Sequence, residues 1–255
     1  MNLTNKIDIL NDNINNDTKL PYSVKNVINN IRLHGIHGVL GKLIDVPEKY
    51  VTAIETSLGT NTNVIVVSDE KSAKEAINYL KDNKLGRATF FPMSIIKARN
   101  VMYEDLSKIK DVDGYLGTAD TLVKYDDKYK DIVLNQLGNV IVVDNIDTLN
   151  KVGKLVQYKY KIVSLDGEIS YSGGAITGGT SKNSGSVINQ KYELEELKKQ
   201  LNEKKNKLST LEETYEKLDK DLEKASVNLE ENQRDVILLT EQVNLKVNRL
   251  NELQN

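Results

Sequence analysis

A chain of 255 residues is long enough for one sizeable hydrophobic core or two small ones. It has no cysteine, which excludes a disulfide framework and a thiolate metal site; neither a signal peptide nor an apolar run of about 18 residues is present, so a cytoplasmic protein is expected. Lys+Arg 35 against Asp+Glu 37 leave a net charge of −2, so there is no global basic field for nucleic acid and any DNA contact must rest on a local patch.

Taken in chain order, Leu3, Ile7, Leu10 and Ile14 recur at steps of four, three and four, the spacing of one apolar helix face. The same count reaches Asp17 and Pro21 before returning to Val24, Ile28 and Ile31. Proline removes a helix donor and clashes with the preceding turn, so two short helical pieces with a break at "DTKLPYS" are predicted. His34 and His37 follow, inside a glycine series at Gly35, Gly38 and Gly41. A zinc site takes more protein ligands than these two histidines supply, and G-x-x-G-x-x-G lacks the tight G-x-G of a dinucleotide turn. Surface or helix-end histidines are expected.

From Gly35 to Gly185 the pattern is mixed α/β and carries an internal repeat. "SLGTNTNVIVVSDEKSAKEAINYLK" resembles "QLGNVIVVDNIDTLNKVGKLVQ": Leu-Gly closes a helix, Asn-Val-Ile-Val-Val is a strand, and Asp opens the next helix. Gly59 and Gly138 are placed as left-handed helix stops. Ile65–Val67 and Ile141–Val143 are the strands, and Ser68/Asp69 and Asp144/Asp147 the caps. Ala73, Ala76, Ile77 and Leu80 form the buried face of the first helix, and Leu149, Val152, Leu155 and Val156 that of the second. Each unit ends in another apolar run, "RATFF" or "KIVSL". Two related subdomains are expected.

Between these units lie Lys81, Lys84, Arg87, Lys97, Arg99, Lys108 and Lys110, interleaved with Asp82, Glu104, Asp105 and Asp111. An ordinary solvated surface and a phosphate-binding patch are both open, because clustering in space decides between them. Asp126-Asp127 reads as a helix start.

"SGGAITGGTSK", Ser172 to Lys182, holds the spacing Gly174-x4-Gly179 of a phosphate loop. The residue after Gly179 is Thr180 and the nearest lysine is Lys182, so the cation that such a loop needs is misplaced. No nucleophile, base and oxyanion hole assemble elsewhere, and catalytic, cofactor and metal sites are all read as none. From Leu194 to Leu253 the chain is a sustained heptad without Gly or Pro. One row is Leu194, Leu201, Leu208, Tyr215, Leu222, Leu229, Val236, Val243 and Leu250, and the second is interrupted by Lys204, Asn232 and Lys246. This predicts a coiled-coil helix about 90 Å long, much of it without a partner in this chain.

The run from "GIHGVLGKLIDVPEKY" through "NKLGRATFFPM", followed by "LDGEISYSGGAITGG", resembles the hinge domain of structural maintenance of chromosomes (SMC) proteins of the bacterial condensin type. The resemblance spans Gly35 to Gly179. It implies an α+β (mixed α/β) SMC hinge of two related subdomains flanked by an antiparallel coiled coil. The N-terminal arm would occupy 1–33 with its break near 17–22, the hinge 34–185 (subdomains about 34–115 and 116–185), and the C-terminal arm 186–255. It further implies a homodimer in which each subdomain of one chain meets the other subdomain of its partner, with the interface carried by Gly173, Gly174, Gly178 and Gly179 and by Ile176 and Thr177. Gly35, Gly38 and Gly41 match early glycines of the family, with turns inside the domain as the other reading. Family hinges also bind DNA through basic surface, for which Lys81, Lys84, Arg87, Lys97 and Arg99 are the candidates here; the alternative function is a DNA-binding module in which dimerisation is incidental. The family's ATPase head, with its ATP site and its contacts to other complex subunits, has no Walker or signature motif in this sequence. The chain is therefore read as a hinge with coiled-coil stumps, not itself an enzyme, acting in the cytoplasm on the nucleoid and not at a membrane.

Overall fold

A computed structural model describes residues 2–179 and 187–254 of the chain, without the side chains of residues 252–254. Lys182, the boundary at 185/186 and the Leu253 side chain lie outside the described residues. The chain divides into two units, 1–198 and 199–255.

In the first unit, α1 (Leu3–Asn15) ends before Pro21 and α2 (Tyr22–Ile28) begins after it. One α/β half follows: β1 (Ile36–Val39), α3 (Leu40–Leu43), β2 (Ile44–Asp45), α4 (Val51–Leu58), β3 (Ile65–Val67), α5 (Glu70–Asp82) and β4 (Phe90–Pro92). After α6 (Tyr103–Ile109) the pattern recurs as β5 (Tyr115–Thr118), β6 (Lys124–Tyr125), α7 (Lys130–Leu137), β7 (Val140–Val143), α8 (Ile146–Leu155) and β8 (Lys161–Ser164). The short strands β9 (Ile169–Ser170) and β10 (Ile176–Thr177) precede α9 (Val187–Gln254).

The repeat holds in the pairing. β1 is antiparallel to β3, which is parallel to β4; β5 is antiparallel to β7, which is parallel to β8. The register slips by one residue at Gly38 in β1 and at Gly117 in β5. The sheet orders are β1-β3-β4 and β10-β9-β8-β7-β5, and β2 and β6 pair with each other, Ile44 opposite Tyr125 and Asp45 opposite Lys124.

Strand periodicity assigns the core. Alternate residues of a strand face opposite ways, so Ile65 and Val67 join α2 and α5 in one cluster while Val64 and Val66 join a second. In the other half Ile141 and Val143 pack with α6 and α8, and Val140 and Val142 return to that second cluster. The shared cluster, with Ile54 and Leu58 of α4 and Ile132, Val133 and Leu137 of α7, welds the halves together. Each fully buried Ile or Val there contributes about 1.5–3 kcal/mol relative to exposure. α6 is fastened by Asp105, which is 2% exposed and accepts from Lys108 (2.7 Å), Lys159 (3.3 Å) and the Tyr160 hydroxyl (2.9 Å). Those donors, Lys108 first, hold its carboxyl down at about 2.

Four local expectations need correction. Gly138 has φ −69°, ordinary helical backbone, and is required for space: a Cβ there would lie 2.3 Å from the Arg99 carbonyl oxygen. Of the two, only Gly59 has a positive φ, +53°. The cap of α8 is Asn145, whose side chain accepts from the Thr148 amide (3.0 Å), rather than Asp144 or Asp147; Asp69 caps α5 through the Ser72 amide (2.8 Å). Ile77 and Leu155 are exposed: Ile77, four residues after Ala73, sits at the edge of its helix's buried stripe, and Leu155 lies well off the line through Leu149, Val152 and Val156.

α9 runs 68 residues as one helix. In the second unit the seam from Leu208 to Leu250, including Tyr215, Leu222, Leu229, Val236 and Val243, is exposed, the stripe that a coiled-coil partner would cover.

Candidate functional site

The glycine-rich stretch forms an edge hairpin. β9 pairs antiparallel with β10, Ile176 opposite Ser170 and Thr177 opposite Ile169. The turn is closed by the Gly174 amide on the Tyr171 carbonyl (2.9 Å) and the Tyr171 amide on the Ala175 carbonyl (2.8 Å). Gly173 occupies the third turn position at φ +95°, where a type II turn favours glycine. Among the described residues β10 is the outermost strand of its sheet; Ile176 is 46% exposed, and Thr177, Gly178 and Gly179 are exposed too. An edge of this kind presents unpaired backbone groups that another strand can take up. Gly178 lies over Glu168, whose Cγ would be 3.1 Å from a Cβ there, and the Glu168 carboxylate accepts from the Ser164 hydroxyl. All six predicted interface residues therefore fall on one hairpin and its flank.

The hairpin rests on residues with no obvious sequence signal. Gln157 and Tyr158, just past α8, have φ +54° and +50°, a left-handed conformation costing a non-glycine residue about 1–2 kcal/mol. The Tyr158 carbonyl accepts from the Gly173 amide (2.9 Å), its ring lies under Gly174, and the Ser172 hydroxyl donates to the Lys159 carbonyl (2.8 Å). The one legible hint is Gly153, a glycine inside a helical pattern, where close packing is the usual reason; a Cβ there would lie 2.5 Å from the Tyr158 ring.

A second constellation holds the root of α9. Its first residue, Val187, sits in the α2/α5 cluster and Ile188 in the shared cluster. Glu55 of α4 accepts from the Asn189 amide in the first turn (2.9 Å), Lys191 donates to the Lys42 carbonyl (3.0 Å), and the Tyr192 hydroxyl donates to Glu48 (2.6 Å). Glu55 is 6% exposed, and burial, only partly opposed by the Asn189 amide, pushes its carboxyl up to about 7. The Asp17 carboxylate, also buried, is paired with Lys42.

The five basic candidates are exposed, and none enters an ion pair among the described residues. They do not form one run: Lys81, Lys84 and Arg87 precede β4, at the end of α5, while Lys97 and Arg99 follow it. The Arg87 carbonyl accepts from Ser23 of α2 and the Lys97 carbonyl from Asn135 of α7, so each group is strapped to a different half. Lys108 is committed to Asp105. His34 is exposed, whereas His37 is half-buried on β1, with Nε2 3.0 Å from the Ser68 hydroxyl and Nδ1 3.3 Å from the Tyr129 hydroxyl of the other half. It is thus neither a free surface histidine nor one at a helix end. No cluster of metal-ligating side chains occurs among the described residues, and no described helix is long and apolar enough to cross a membrane.

A duplicated α/β module ending in an open edge strand and rooting a long heptad helix is the architecture of a hinge, and the family model for the SMC proteins flexible hinge domain matches residues 33–152. The chain belongs to the SMC hinge family. It is 41% identical to the chromosome partition protein Smc of Clostridium kluyveri over 68% of this chain and 15% of that protein, and 39% identical to that of Bacillus subtilis over 66% and 14%. The chain thus spans about 15% of the length of these curated relatives. Among solved structures, an asymmetric dimer of the Geobacillus stearothermophilus SMC hinge domain matches with a TM-score of 0.73 and 37% identity, covering 82% of this chain and 85% of that one.

Proposed function

We propose that this chain joins two copies of itself, each half of one hinge meeting the other half of its partner, and so links two long helical arms in a chromosome-partition ATPase. The observation that carries this is the outer edge of β10, open among the described residues, short, exposed and flanked by glycines. The asymmetric dimer of the Geobacillus stearothermophilus hinge supports it. The segment does no chemistry of its own; ATP turnover and contacts with other complex subunits belong to the parts of the full protein outside this chain, in the cytoplasm on the nucleoid. The test is sedimentation of the full 255-residue chain. Ile176→Asp, at an exposed position, keeps the far-ultraviolet circular dichroism of the wild type while weakening the dimer by about a hundredfold; an unchanged dimer constant removes β10 from the interface.

The exposed, unpaired state of Lys81, Lys84, Arg87, Lys97 and Arg99 favours a second role in contacting DNA phosphates. Binding to single- and double-stranded DNA is expected to fall steeply with salt, and replacing all five by Gln lowers the magnitude of the logarithmic salt slope by several units, roughly one for each phosphate left without its cation. Absence of binding at low ionic strength removes this role without touching the first.

A further inference from the structure

We propose that Tyr158 is the positioning residue of the β10 interface, a strained wedge that sets the glycine turn so that the outer edge of β10 faces its partner strand. This rests on the dimer reading above. Two elements converge on this residue from opposite directions. On the helix side, the Tyr158 amide donates to the Gly153 carbonyl (2.8 Å), and the ring occupies the space that any Cβ at Gly153 would take. On the hairpin side, its carbonyl receives the Gly173 amide, and its ring carbons and Cβ lie 3.6–3.9 Å from the position of a Cβ on Gly174. The left-handed backbone at Gln157 and Tyr158 is what turns carbonyl and ring toward the hairpin together. A residue held in an unfavourable conformation by its surroundings persists only where those surroundings over-determine it. Here the surroundings are α8 on one side and the interface turn on the other. β9 is held by β8 on its other side, but β10 has only its two-residue ladder with β9, so the turn that leads into it sets where its outer edge lies. The ring acts through shape: no hydrogen bond of its hydroxyl is needed for any of these interactions, so phenylalanine suffices.

The test uses the full chain and two readouts. Tyr158→Ala is expected to accelerate amide exchange of the 171–177 segment by about tenfold or more and to weaken the dimer by a similar factor, while Tyr158→Phe leaves both unchanged. Gly153→Ala, which displaces the ring, gives the Tyr158→Ala result with Tyr158 intact. Measuring exchange also in the Ile176→Asp background separates the turn from the dimer. Unchanged exchange in Tyr158→Ala overturns the inference whatever the oligomeric state, as does faster exchange with an unaltered dimer constant. A wild-type chain that stays monomeric at tens of micromolar overturns instead the dimer reading beneath it.

Discussion

Gly138→Ala is expected to destabilise the hinge by about 3 kcal/mol, the upper end for forcing a methyl into a packed site, and to lower its melting temperature by roughly 10 °C. The added Cβ would lie 2.3 Å from the Arg99 carbonyl oxygen, 2.7 Å from that of Leu134 and 2.9 Å from Asn100 Oδ1. Two of these three are backbone atoms that no rotamer change moves aside. The 97–101 segment is bound to the end of α7 on both sides of the clash, by Asn135 to the Lys97 carbonyl (2.7 Å) and by the Val101 amide to the Gly138 carbonyl (3.2 Å). Relief therefore means peeling that segment off. Gly59→Ala is the control: nothing lies within 4 Å of a Cβ there, and only its backbone, φ +53° and ψ −128°, resists, at about 1–2 kcal/mol. Denaturant midpoints of the two variants check the order, and equal losses would overturn the close-approach argument.

Glu55→Gln is expected to stabilise the protein at pH 8 by roughly 2–3 kcal/mol and to change it little at pH 4.5. The sign follows from the proton. The carboxyl holds its proton up to about 7 in the folded chain, against 4.5 as its ordinary value. Between those values the folded state binds the extra proton, so stability falls as pH rises through the window, and the whole cost is present above 7. Burial is the cause; the Asn189 amide at the start of α9 favours the anion and offsets burial only in part. Glutamine keeps an acceptor for that amide and cannot ionise. Denaturation midpoints from pH 4.5 to 8 should slope in the wild type and flatten in the variant; parallel curves would refute the assignment.

Both predictions concern things that the sequence shows only in part. The strands at Ile65–Val67 and Ile141–Val143, the repeat around them and the heptad of α9 were legible because each is a periodic apolar pattern read over many residues. The two Leu-Gly pairs look alike in sequence yet do different work, since whether a glycine answers to φ or to space depends on a neighbour, here Arg99, that is 39 positions away (138 − 99). Asn145 beat Asp144 and Asp147 to the cap of α8 because a cap depends on backbone geometry at one position, and all three residue types qualify by chemistry. At the hairpin the glycines announced themselves; Tyr158 did not, because left-handed backbone at tyrosine has no compositional signature. Glu55 sits in "AIETSL", an ordinary helical run, and becomes unusual only when α9 closes over it.

The two-residue ladder between β2 and β6 has a further meaning. Each strand occupies the same place in its half, after the bulged first strand and before the helix of the shared core, and the two run antiparallel, so that exchanging the halves returns the same pairing. A contact with that symmetry is how two identical molecules meet about a twofold axis. The two halves therefore meet, inside one chain, across a contact laid out like the interface of a twofold dimer.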